Sequence, residues 1–155
     1  MHVVAEVFDC EIQARYRDLN YGAHVDNGEV VRVVDEARIQ FLGVYPIEGI
    51  GQGWRGQVPQ GVADLLGALR IEYRSVLPAI GHRPYLVRAW VGHIGRTSFT
   101  ISYEIRIDPD GEPAAVAETV VAIRDASTGA PAALDDAARA VLESYLAEPV
   151  ALRPR

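Results

Sequence analysis

"GEVVRVVDEARIQFL", residues 28–42, is the stretch on which the fold turns. Val30, Val33, Val34, Ala37 and Phe41 recur at the three- and four-residue spacing that gathers side chains on one face of a helix. Val31 and Leu42 widen that face beyond what an ordinary surface helix buries. The reading is a central helix that other elements must wrap.

Outward from the helix the period changes. Residues 8–16 alternate, with Phe8, Cys10, Ile12, Ala14 and Tyr16 on one side and Asp9, Glu11, Gln13 and Arg15 on the other, as in a half-buried strand. Four strand-like segments follow the helix, at 65–76, 85–93, 98–107 and 114–124. The turn-rich stretches "LPAIGHRP", "IGRT" and "DPDGEP" separate them. In the third segment Phe99, Ile101, Tyr103, Ile105 and Ile107 alternate with polar residues, giving one buried and one polar face. A short amphipathic segment, "LDDAARAVLESYL", predicts a last helix capped by Asp135 or Asp136 and ending before Pro149. Consecutive strands joined by turns imply an antiparallel meander filled by the single apolar helix, an α+β domain over residues 1–148 with a tail at 149–155. Residues 43–62 have neither period, and a connection of that length suits a lid or pocket wall.

Composition narrows the function. A net charge of −6 argues against nucleic acid as a partner, since binding it needs a basic footprint. The single cysteine, Cys10, excludes an intrachain disulfide, and its place in an alternating strand suits packing rather than a reactive thiol. No apolar run approaches a membrane span, and no basic segment followed by an apolar one opens the chain, so the expected location is cytoplasmic.

The stretch "RYRDLNYGAHVDNGEVVRVVDEARIQFL", residues 15–42, resembles the amino-terminal motif of hot-dog-fold acyl-CoA thioesterases of the 4-hydroxybenzoyl-CoA thioesterase type. The later "IEYRSVLPAIG", "IGRTSFTISYEI" and "ETVVAIRD" are similar to that family's strands, so the resemblance covers most of the chain. It implies a hot-dog fold, a five-stranded antiparallel sheet wrapped around the long helix. It also implies a homodimer whose sheets pair edge to edge, or a dimer of dimers, with active sites at the interface. The implied substrate is an acyl-CoA or an acyl-carrier protein. Coenzyme A enters as part of that substrate, with no separate cofactor and no metal centre.

Thioester hydrolysis requires an activated water or carboxylate nucleophile, donors for the developing oxyanion and a site for the leaving thiol. Where the family carries two acids, this chain has Asp18 and then Asn20, and an amide can neither accept a proton as a base nor form an acyl anhydride. Asn20 then orients water or thioester while His24, Asp18, Asp35 or Glu36 activates the water; histidine changes charge near neutral pH. Each has a plainer reading. Asp26 and Glu29 read as a capping box, Asp35 and Arg38 as an i,i+3 pair, and Glu36 as part of a solvated stripe with Glu29, Arg32 and Gln40. The amide near Asn27, at the helix start, suits an oxyanion donor. Substrate-contact candidates are Tyr21, Trp54, Arg74, Arg96 and Ser98. For these a surface ion-pair row around Glu72, core packing of Trp54 and an ordinary Gly-Arg-Thr turn compete. A hot-dog hydratase or dehydratase, and a non-catalytic acyl-binding module, stand as alternatives to the thioesterase.

Overall fold

Asp26 starts the central helix. In the computed structural model, which describes residues 5–19, 21, 22, 24–43, 54–78 and 83–154, its backbone is extended at φ −61, ψ 142 and its carboxylate accepts the Gly28 N–H at 3.0 Å. The helix, α1 (Asn27–Leu42), ends at Gly43 in the left-handed region at φ 67, where the cap N–H returns to the Ile39 and Gln40 carbonyls. The expected capping box does not form, although Asp26 still caps the helix: its carboxylate takes the Gly28 N–H and not that of Glu29. Glu29 turns to Arg32 at 3.0 Å, and the Asp26 N–H donates to the Asp18 carbonyl at 2.8 Å. Val30, Val33, Val34, Ala37, Phe41 and Leu42 are buried as the spacing implies, but Val31 is 40% exposed and does not widen the stripe.

Five strands, β1 (Phe8–Ile12), β2 (Val62–Tyr73), β3 (Tyr85–Ile94), β4 (Ser98–Arg106) and β5 (Ala115–Asp125), form one antiparallel sheet in the order β1-β3-β4-β5-β2. This corrects the simple meander. Only β3, β4 and β5 follow one another through hairpins, because β1 occupies the other edge of β3 and leaves β2 to pair with β5. The stretch between β2 and β3 is therefore a crossing from one side of the sheet to the other, and not a hairpin turn.

The first strand is also shorter than its alternation. It stops at Ile12, and Tyr16–Asp18 form a 3₁₀ turn in which the Asp18 N–H donates to the Arg15 carbonyl at 2.9 Å. Asp18 causes that break. Its carboxylate, 1% exposed, accepts the Arg15 main-chain N–H at 2.9 Å, the Arg15 guanidinium at 3.0 Å and the Arg32 guanidinium at 3.2 Å.

The sheet's inward rows, including Tyr85, Val87, Ala89, Phe99, Ile101, Ile105 and Val121, close over α1. Two polar groups join this core, and they satisfy each other: the Tyr103 and Thr119 hydroxyls are 2.9 Å apart. Trp54 lies in the 3₁₀ turn Trp54–Gln57 at 1% exposure, its ring 5.0 Å from that of Phe99. The second helix, α2 (Asp136–Ser144), is capped by Asp135, which accepts the Ala138 N–H at 2.8 Å, and buries Ala138 and Leu142.

The segment after α2 is not a loose tail beyond the domain. Tyr145 and Ala147 bond to Val91 on the edge of β3, after which the chain crosses the outer face of the sheet over β4 to β2. Gly92 allows the crossing: a Cβ there would lie 2.9 Å from Ser102 Oγ and 3.3 Å from Pro149 Cα.

Two expectations concern stability. Leu42 is fully buried in the core, so Leu42→Ala should cost about 2–5 kcal/mol, read as a lower denaturation midpoint with an unchanged slope. For Asp18, burial raises the carboxyl pKa, but hydrogen bonding and charge from Arg15, with Arg32, outweigh it and hold the group below its usual range. Its stabilising contribution is therefore complete above the unfolded-state value near ~4 and lost as pH falls through the lower folded value. Melting curves from pH 6 to pH 2 should fall more steeply for the native chain than for Asp18→Asn. Parallel curves would reject this role for Asp18.

Candidate active site

The loop entering α1 is held to the segment leaving β2. Leu19 and Val25 bridge across the loop, His24 bridges to Pro78, and the Val25 N–H donates to the Leu77 carbonyl at 2.9 Å. These contacts frame a cleft of about 370 Å³, lined by His24, Val25, Asn27 and Val30 from the helix entry and by residues 73–77 from the strand.

At the cleft wall stands the first turn of α1, whose amides have no partners within the helix. Three are satisfied by the cap: Gly28 by the Asp26 side chain, Glu29 and Val30 by the Asp26 carbonyl. Among the described residues, the Asn27 N–H has no partner. It points out of the positive end of the helix dipole, as a donor for a developing oxyanion should.

Tyr73 is the member of the site that sequence reading missed. It ends β2 on the inward face, opposite Ala115, and its hydroxyl donates to the Asn27 carbonyl at 3.3 Å. Burial, then the charge of Asp26, raises the phenol's pKa, so it remains a proton donor at neutral pH. Period-two alternation puts Tyr73 inward, but nothing in the spacing says that the strand ends beside the helix start.

Arg74 also lines the cleft, and its guanidinium donates to the Ala151 carbonyl at 2.8 Å. It pairs with no carboxylate among the described residues. The expected ion-pair row forms instead between Arg70 and Glu72, at 2.8 Å.

Of the sequence candidates, His24, Asn27 and Arg74 share the cleft. Asn20 lies outside the described residues. Tyr21 is fully exposed and does not line the cleft. Asp18 is the paired anchor already described. Asp35 pairs with Arg38, and Glu36 with Arg32 at 2.8 Å, both away from the cleft lining. Trp54 packs in the core, with its indole N–H buried and without a partner among the described residues. Arg96 and Ser98 sit on the β3–β4 hairpin, where the Ser98 carbonyl accepts the Gly95 N–H at 2.8 Å. Ser98 pairs with Ala122, whereas Tyr73 pairs with Ala115. That separates the hairpin from the cleft by seven residues of β5, about 24 Å of strand. Burial, then Glu36 and Asp9, push the Cys10 thiol up to about 12, which disfavours the thiolate. Among the described residues no His, Cys, Asp or Glu cluster could hold a metal ion, and no helix is long and apolar enough to cross a membrane.

Solved structures share this architecture. A thioesterase-superfamily protein from Jannaschia sp. matches with a TM-score of 0.76 at 16% identity, covering 95% of this chain and 98% of that one. A DHNA-CoA thioesterase from Staphylococcus aureus matches at 0.70 and 22% identity, covering 90% and 88%. A thioesterase from Thermus thermophilus, complexed with coenzyme A and zinc, matches at 0.66 and 21% identity, covering 88% and 92%. At these identities the likeness establishes the hot-dog fold. No curated protein matches the sequence. The model of the thioesterase-like superfamily matches residues 14–142, most of the chain, and the chain therefore belongs to that superfamily.

Proposed function

We propose that the protein is an acyl-CoA thioesterase that hydrolyses its substrate by direct attack of water in the cleft at the start of α1. The observation that carries this reading is the Asn27 amide: among the described residues this one first-turn donor is left without a partner, while the cap closes the three that follow it. A thioester carbonyl seated there develops its negative charge against an N–H and the positive end of a helix dipole.

His24 is the water-activating group in this reading. Among the described residues it is the one that lines the cleft and whose type changes charge near neutral pH. The imidazole takes a proton from water as the oxygen attacks the carbonyl carbon. The tetrahedral oxyanion is held by the Asn27 N–H, and its collapse breaks the carbon–sulfur bond, the histidinium returning the proton to the departing thiolate. Asn20, which follows Leu19 in the sequence, is given the role of orienting the water or the thioester.

The working form is a homodimer. Its support is the free edge of β2, a strand of twelve residues with Leu65 54% and Leu66 42% exposed and a register shift between Leu66 and Ala68. An unpaired apolar edge of this length is a template for another strand. Two-fold antiparallel pairing along β2 brings the Arg96 and Ser98 hairpin of one copy toward the cleft of the other, which reconciles their separation within one chain.

The test is thiol release from a panel of acyl-CoAs, run beside enoyl-CoAs monitored for loss of the conjugated double bond. Thiol release is expected; its absence across all acyl lengths, or turnover of the enoyl substrates instead, rejects the reading. Asn27→Pro isolates the amide, because proline suits the first helical position and Asp26 already has the extended conformation that precedes proline. Its kcat should fall about 10²–10³-fold relative to Asn27→Ala, which keeps the N–H. His24→Ala should cost at least ~100-fold, and a native rate in that variant would remove His24 as the base.

A further inference from the structure

The strand-like segment after α2 runs from the edge of β3 to the candidate site. The Trp90 indole N–H donates to the Glu148 carbonyl at 2.8 Å, and the Val150 N–H donates to Ser102 Oγ at 3.1 Å. At the far side, the Arg153 N–H donates to Glu72 Oε1 at 2.7 Å, and Arg70 bonds both Glu72 and the Arg153 carbonyl. Between those two anchorages the Ala151 carbonyl accepts from the Arg74 guanidinium at 2.8 Å. The sheet beneath is cut to receive the crossing: Ser102 is fully buried, and Gly92 leaves no room for a Cβ under Pro149.

Arg74 is thus a cation lining the cleft that is oriented by a neutral carbonyl and, among the described residues, faces no acid. A guanidinium has five N–H donors, and its one bond among the described residues leaves most of them for a ligand. Holding a long side chain in one geometry removes the rotamer cost that a phosphate would otherwise meet on binding. Arg70, four residues earlier on the same strand face, is in contrast tied to Glu72.

We infer that residues 146–153 form a strap that belongs to substrate recognition: through the Ala151 carbonyl it aims Arg74 at the phosphorylated nucleotide of coenzyme A, so that the cleft selects CoA thioesters over thioesters of bare pantetheine. This rests on the thioesterase reading for its substrate, but the anion-binding half of it stands apart from hydrolysis.

The probe for that half is adenosine 3′,5′-bisphosphate, the nucleotide end of CoA without a thioester. Trp90→Phe combined with Ser102→Ala loosens the strap without altering any charge, and Arg74→Ala removes the cation. Each should weaken binding of the probe by calorimetry about tenfold, within the range for a charge-assisted hydrogen bond. The triple variant should lose no more than Arg74→Ala alone, because the strap acts through Arg74. With acyl-CoA and acyl-pantetheine as paired substrates, the loosened strap should raise KM for the CoA ester only and leave kcat/KM for the pantetheine ester unchanged, which also reports an intact fold. The inference is overturned if the native protein does not bind the probe, if the strap variant binds it normally, or if the two losses multiply. Native binding of the probe without thiol release from any acyl-CoA would instead reject the hydrolytic reading and leave the strap's role standing.

Discussion

Everything at the candidate site depends on how the chain enters α1, and that entry is fixed by one buried carboxylate. Asp18 satisfies its oxygens with Arg15 and Arg32, one from the loop and one from the helix, while its carbonyl takes the Asp26 N–H. A buried charge is tolerated only when paired and hydrogen-bonded. The pairing that makes Asp18 tolerable is therefore also what ties the 3₁₀ turn to the helix and sets the direction of Asp26. A carboxylate so engaged, with its pKa held low, is a poor base, and what it supplies is the geometry of the helix entry.

From that anchor the cap follows. Asp26 is free to use both its side chain and its carbonyl on the first-turn amides, because its own N–H is already bonded and Glu29 is held by Arg32. Among the described residues the cap is consequently incomplete by one donor, the Asn27 N–H, beside the end of β2. In the proposed mechanism capping and oxyanion binding are two uses of one helix terminus, divided among its successive amides.

The arginines divide in a similar way. Among the described residues Arg15, Arg17, Arg32, Arg38, Arg55, Arg70, Arg83, Arg88 and Arg106 face carboxylates, whereas Arg74 and Arg139 are held by main-chain carbonyls, and of these two Arg74 lines the cleft. In a chain of net charge −6 a cation that faces no acid among the described residues is a local feature, and the sheet makes room for the strap that contacts it with a glycine at 92 and a buried serine at 102.

The sequence by itself determined the elements. Val30, Val33, Val34, Ala37 and Phe41 announce the central helix, alternation announces the strands, and the motif around Asp18 to Glu36 announces the family, because each is a local pattern with a fixed period or spacing. What only the tertiary structure decided is which ends meet. That β2 pairs with β5 and not with β3, that Tyr73 closes on Asn27, that Asp18 is an anchor, and that the last residues cross the sheet to Arg74 all join positions distant along the chain. Periodicity carries the face on which a side chain lies, not the partner it finds there, since pairing among strands is settled by which edges remain free once the others are taken.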